Sequence, residues 1–303
     1  MFDEALKSKL KARFENIIFD EPLSKHVTMH VGGPADGFLG VTEEEIPAVC
    51  DFCRDNGVDY YVIGNGSNTV VRDGGYRGLI ICIGRRMNKV EFTPDGQIIA
   101  QAGAKLSMVA ECAAKNGIAG FEFLAGIPGN VGGALVMNAG AYGGEIQSLL
   151  ESVTFFENGQ IRTARPEELG YGYRKSYFLS NPDAIITRAV FRGNPADKVE
   201  IRELMSQLAQ KRCASQPLEY PSSGSFFKRP EGYFAGKLVQ DCGLKGYKCG
   251  GAAISEKHAG FVINCGDATC HDIQMLSKHV KDTVREQFGV ELEPEVRFIG
   301  SDE

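Results

Sequence analysis

Between Gly126 and Gly144 the chain places seven glycines: Gly126, Gly129, Gly132, Gly133, Gly140, Gly143 and Gly144. A turn needs one or two such residues. A run this dense leaves a backbone nearly bare of side chains, able to lie against a large ligand and to donate hydrogen bonds along its length. A shorter loop, Gly64-Asn65-Gly66-Ser67-Asn68, follows the β-prone run Tyr60-Tyr61-Val62-Ile63, so its N–H groups can converge on an anion. By itself it fits a tight turn equally well. It lacks the third glycine and trailing helix of a Rossmann turn, and the G-K-[ST] of a P-loop. Two such loops in one domain nevertheless point to a dinucleotide held by backbone.

Around the loops the pattern is mixed. Thr42 to Asn56 carries a capping box (Thr42, Glu45), apolar residues at helical spacing and a stop at Gly57, which predicts a helix. Leu106 to Asn116, ended by Gly117, predicts another. Leu79 to Ile83 and Ala184 to Phe191 read as strands, and hairpins are expected about Pro94-Asp95-Gly96 and Glu157-Asn158-Gly159. The polar segment Arg192 to Asp197 is the expected domain boundary, followed by a helix with Ile201, Leu204, Met205 and Leu208 on one face. A long helix from about Asp272 to Phe288 carries the stripe Ile273, Leu276, Val280, Val284, and Val290 to Ile299 reads as a strand.

Composition excludes several classes. The 33 basic and 39 acidic residues give a formal charge of −6 with no basic patch, which argues against a nucleic-acid partner. The amphipathic start lacks the apolar core of a secretory signal, and no run reaches the roughly 18 apolar residues of a membrane span, so the cytoplasm is the expected compartment. Cys50 and Cys53 form a lone C-x-x-C without a second pair or histidines at ligand spacing. Buried free thiols are expected there, and no metal site.

Three further motifs follow the glycine loops in order: Tyr173-Arg174-Lys175-Ser176, Gly224-Ser225-Phe226-Phe227-Lys228-Arg229-Pro230, and Glu293-Pro294-Glu295-Val296-Arg297. The loop pair, Ile63 to Asn68 with Gly126 to Gly133, resembles the FAD-binding domain of the vanillyl-alcohol-oxidase (PCMH) type. All five motifs together resemble the UDP-N-acetylenolpyruvoylglucosamine reductase (MurB) family, from about residue 20 to the C-terminus. The stretch between Arg174 and Gly224 is filled by strand, linker and helix, which resembles the shorter, type II kind without a tyrosine-bearing insertion.

The resemblance implies an α+β protein: an N-terminal region 1–195, with the FAD-binding domain at about 27–193, then a smaller α+β substrate-binding domain at 196–303. It implies non-covalent FAD on Gly64, Asn65, Gly66, Ser67, Asn68, Gly126, Ile127, Pro128, Gly129, Val131, Gly132 and Gly133, with Ala139 beside them. NADPH is the implied electron donor and a UDP-sugar enolpyruvyl ether the substrate, reduced to UDP-N-acetylmuramate for peptidoglycan. Ser225 is the implied proton donor, Arg174 the active-site arginine and Glu295 the active-site acid. Hydride addition to the enolpyruvyl CH₂ leaves charge that a guanidinium and a protonated carboxyl can stabilise, so these residue types suit the reaction.

Tyr173, Lys228 and Arg229 are expected near the substrate, Lys228 as a neighbour assisting Ser225. Arg229, Lys237 and Lys245 are candidate diphosphate partners. A monomer is expected. Two rivals stay open: an FAD-dependent oxidase on the same flavin fold, and a non-catalytic flavin- or nucleotide-binding module.

Overall fold

A computed structural model describes residues 1–303. Its first sheet is built around Tyr76–Cys82, paired in parallel with Pro34–Gly40 on one side and Tyr60–Ile63 on the other, with Ile17–Pro22 antiparallel at the edge. A strand covered on both faces reads as an unbroken apolar run. Leu79, Ile80 and Ile81 are accordingly fully buried.

The second sheet has five antiparallel strands, in the order Gln160–Ala164, Leu150–Glu157, Ile185–Arg192, Gln97–Gln101, Val90–Phe92. Both expected hairpins lie in it. The Asn158-Gly159 turn has φ of 50° and 79°, the backbone hand that matches strand twist. Helices Ile46–Asn56 and Leu106–Asn116 bury Val49, Cys53, Val109 and Ala113 in a core of 42 residues shared with this sheet. Only half of the expected capping box forms: Glu45 accepts the Thr42 N–H at 2.9 Å, the Thr42 side chain caps no helix N–H, and regular helix begins at Ile46.

The C-terminal body is an antiparallel sheet, Ser222–Ser225, Phe261–Asn264, Ala252–Ile254, Lys248–Cys249, covered by helices Ala235–Asp241 and Cys270–Phe288. Thr269 and Asp272 cap the long helix reciprocally, and its predicted stripe is fully buried.

Packing divides the chain later than residue 195. Asp197 caps the Lys198–Ser215 helix, which then turns back onto the Leu106–Asn116 helix and the 3-10 turn Glu122–Gly126, with Met205 and Leu208 against the first core. The chain enters the second core for good only at Phe226. The expected strand Val290–Ile299 also shortens to Arg297–Ile299, where a continuous ladder forms with the parallel strand Thr69–Val71 that leaves the first glycine loop, while Pro294 makes only a single antiparallel bridge, to Phe227. Residues 293–295 instead run beside the Gly224-Ser225-Phe226-Phe227 segment. Glu295 donates its N–H to the Phe226 carbonyl (2.8 Å), and Lys228 donates to the Glu293 carbonyl (2.9 Å).

Candidate active site

Both glycine loops open on one cavity of about 870 Å³ between the two bodies. The loops are fastened together by Asn65, whose Nδ2 donates to the Pro128 carbonyl at 2.7 Å. None of the five N–H groups from Gly64 to Asn68 has an acceptor within the protein. Five neighbouring donors free of protein acceptors are the groups an anion such as a pyrophosphate would need.

The glycines divide the work. Gly66 sits at φ 62°, and a Cβ there would lie 2.3 Å from the His26 carbonyl oxygen, so this position is set by backbone shape. A Cβ on Gly133 would meet nothing within 4 Å, which leaves bare backbone facing the cavity. Free backbone donors beside bare backbone on one large cavity fit FAD.

Twelve of the thirteen sequence-derived cofactor positions line this cavity, Ala139 included. Val131 does not. Its side chain is fully buried in the first core and its N–H is taken by the Ala104 carbonyl at 2.9 Å, so neither reaches a ligand.

A second cavity, of about 460 Å³, lies on the C-terminal side and is lined by Tyr173, Phe227, Arg229, Phe234, Lys237, Lys257 and His258 among others. Arg174, Ser225 and Glu295 belong to both cavities and form the wall between them. Arg174 Nε donates to Glu295 Oε1 at 2.5 Å, with 17% and 12% of the two side chains exposed. Burial pushes the Glu295 carboxyl above the usual carboxylate range, against the opposing pull of Arg174 and, more weakly, Lys228. Asn68 ties this acid to the first glycine loop, its Nδ2 donating to the Glu295 carbonyl at 3.1 Å. Ser225 is exposed beside this pair, at the end of a strand bent by Gly224 at φ 75°.

Glu293, on the far side of Pro294 from Glu295, pairs with Lys228 instead of Arg174. Lys228 lines neither cavity and pairs with the exposed Glu293, while its charge still acts weakly on Glu295. Tyr173 is at the second cavity, its hydroxyl accepting the Arg229 N–H at 3.1 Å, and the Arg229 guanidinium stacks 3.9 Å from the Phe234 ring centre. Lys245 lines neither cavity, and Lys237 pairs with Asp241.

Sequence reasoning missed Lys257 and His258, which carry no local signal. It also missed Met205, Leu208 and Arg212, which the Lys198–Ser215 helix contributes to the first cavity. Cys50 and Cys53 are unpaired on their helix, their thiols pushed up by burial to about 11 and about 12.

Residues 38–164 match the family model of an FAD binding domain, and residues 216–299 that of the UDP-N-acetylenolpyruvoylglucosamine reductase C-terminal domain. A UDP-N-acetylenolpyruvoylglucosamine reductase from Clostridium beijerinckii is 47% identical over 288 residues, covering 94% of each chain. The chain belongs to this family. Its relative from Exiguobacterium sibiricum is 45% identical over 95% of this chain and 94% of that one. The crystal structure of the Thermus caldophilus reductase superposes with a TM-score of 0.78 at 36% identity, covering 93% of this chain and 97% of that one.

Proposed function

We infer that this chain carries out the reaction of its family, the NADPH-dependent reduction of UDP-N-acetylglucosamine enolpyruvate to UDP-N-acetylmuramate through bound FAD, in peptidoglycan synthesis. The observation that carries the reading is the shared wall: an arginine, a serine and a buried carboxyl stand between a cavity suited to FAD and one lined by basic and aromatic side chains. FAD held on the Gly64–Asn68 and Gly126–Gly133 loops would supply the two-electron hydride chemistry that links NADPH to the enolpyruvyl CH₂.

The protein's own groups handle the charge and the proton. Arg174 presents a planar fork to the substrate carboxylate, where negative charge accumulates once hydride has added. A carboxylate bound by Arg174 competes with Glu295 for the same guanidinium. As that pairing weakens, burial dominates and Glu295 takes up a proton, becoming a hydrogen-bond donor to the developing enolate. Ser225, on the same wall, delivers the proton to C2 and yields the lactyl ether. Arg229, Lys257 and the exposed rings of Tyr173 and Phe234 give the second cavity the character of a nucleotide-sugar diphosphate site.

The oxidase reading needs a base positioned to remove a substrate proton, whereas the wall offers an arginine-held acid and a hydroxyl. Nucleotide-linked substrates and NADPH support the cytoplasm as its place of work; no helix is long and apolar enough to cross a membrane. Anaerobic reoxidation of the NADPH-reduced protein by the enolpyruvyl sugar tests the reading.

A further inference from the structure

The Val131–Met137 helix, which follows the second glycine loop, ends on Asn138, a fully buried residue in the left-handed region at φ 44°, ψ 57°. Asparagine tolerates that conformation, so the backbone alone explains a small polar residue here. It does not explain where the side chain goes. Nδ2 donates to the Gly172 carbonyl at 3.0 Å and to Glu145 Oε2 at 3.0 Å, and Oδ1 accepts the Gln147 N–H at 3.3 Å. The amide therefore reaches across to another segment instead of closing its own helix.

Gly172 is one foot of a tight turn. It exchanges both backbone hydrogen bonds with Lys175 at 3.1 Å, and between these feet stand Tyr173 and Arg174, the latter held at φ 51°. The other side of the turn is gripped by the same helix, where Ser176 Oγ donates to the Val136 carbonyl at 2.6 Å. Arg174 itself returns to the helix end, its Nη1 donating to the Asn138 carbonyl at 3.4 Å. One asparagine thus holds the foot of the turn through its side chain and the guanidinium through its backbone.

We propose that Asn138 is the positioning residue for Arg174, fixing the guanidinium at the wall between the cavities so that it meets the substrate carboxylate and Glu295 in one geometry. The inference rests on the role given to Arg174 above. Asn138 touches neither substrate nor reacting atoms, and acts only through the turn. A displacement of about 1 Å at a positioned group can cost about 100-fold in rate, so a buried anchor of this kind has a kinetic signature.

The test is a double-mutant cycle on FAD-loaded protein, reading reoxidation of the NADPH-reduced flavin by UDP-N-acetylglucosamine enolpyruvate. Asn138→Gly keeps the left-handed backbone and removes the amide. Arg174→Ala is expected to slow reoxidation about 100-fold, and Asn138→Gly about 10-fold. The double variant is expected to be no slower than Arg174→Ala, not at the roughly 1000-fold product of independent losses. FAD affinity and the rate of reduction by NADPH are expected to stay at wild-type values in Asn138→Gly.

Multiplying losses would overturn the proposal. So would an Asn138→Gly protein that reoxidises normally, or one that loses FAD affinity and both half-reactions together, as a general packing defect would. If Arg174→Ala alone reoxidises at the wild-type rate, the role of Arg174 falls, and the inference with it. Asn138→Asp, which sets a carboxylate oxygen against Glu145 and the Gly172 carbonyl, gives the same cycle in an isosteric variant should Asn138→Gly not yield holoprotein.

Discussion

Arg174 and Glu295, 121 positions apart in the chain, meet at 2.5 Å across the junction of the two bodies. The arginine rides on a turn of the first body, and the glutamate lies two residues before the strand that pairs with the exit of the first glycine loop. Cofactor loop, cation and acid are therefore one mechanical unit. Glu295 also carries the clearest electrostatic asymmetry of the site, since burial raises its pKa while its partner lowers it.

That asymmetry sets a pH dependence. A raised native pKa means that the folded state holds the proton where the unfolded state has lost it. Stability contributed by Glu295 thus falls as pH rises from the ordinary carboxyl value through the raised one. Melting curves across this window are expected to show wild type losing stability relative to Glu295→Gln. Flavin reoxidation by substrate should fall over the same direction of pH, and the limb should vanish in Glu295→Gln, which keeps a donor. Glu295→Ala, with no donor, is expected to slow reoxidation about 100-fold.

Ser225→Ala separates the two half-reactions. Reduction by NADPH needs no proton from this hydroxyl and is expected to proceed normally, whereas reoxidation by the enolpyruvyl sugar should slow by roughly 10² to 10⁴, the range of a positioned acid. Stopped-flow traces of each half-reaction check it. Equal loss in both would remove Ser225 from the proton path.

The two kinds of glycine can be told apart. Gly133→Leu projects a side chain into the first cavity and is expected to weaken FAD binding by at least about 10-fold while the cofactor-free protein melts at or above the wild-type temperature, helix propensity favouring the change. Gly66→Ala meets a positive φ and the His26 carbonyl together, and should lower the melting temperature of the cofactor-free protein. Calorimetry with and without FAD reads both.

In the second cavity, Arg229→Ala and Lys257→Ala are each expected to raise the KM for the UDP-sugar about 10-fold, the worth of a charge-assisted hydrogen bond, without changing reduction by NADPH. Lys245→Ala should leave both untouched, because Lys245 borders neither cavity. Steady-state kinetics at saturating NADPH decides between them.

The glycine loops were legible because their composition alone predicts bare backbone, and Gly64 to Asn68 and most of Gly126 to Gly133 do line the first cavity. Helices with a full stripe and a glycine stop, such as Cys270–Phe288, were legible for the same local reason. Partnerships between distant segments were not. Residues 290–296 have strand character, yet a strand exists only where another edge accepts it, and Thr69–Val71 accepts three residues. The stripe of the Lys198–Ser215 helix identified an amphipathic face but not the body it covers, and Val131 sits in a cofactor motif while its side chain serves the core. Lys228 shows the same limit, since only the fold reveals its pairing with Glu293.

The most direct test is made without oxygen in a single cuvette: the FAD-loaded protein is reduced with NADPH until the flavin's visible band bleaches, and UDP-N-acetylglucosamine enolpyruvate is then added. Return of the oxidised band on addition of the sugar, with UDP-N-acetylmuramate as product, is the expected result. A flavin that stays bleached until air is admitted would contradict the account and leave an oxidase in its place.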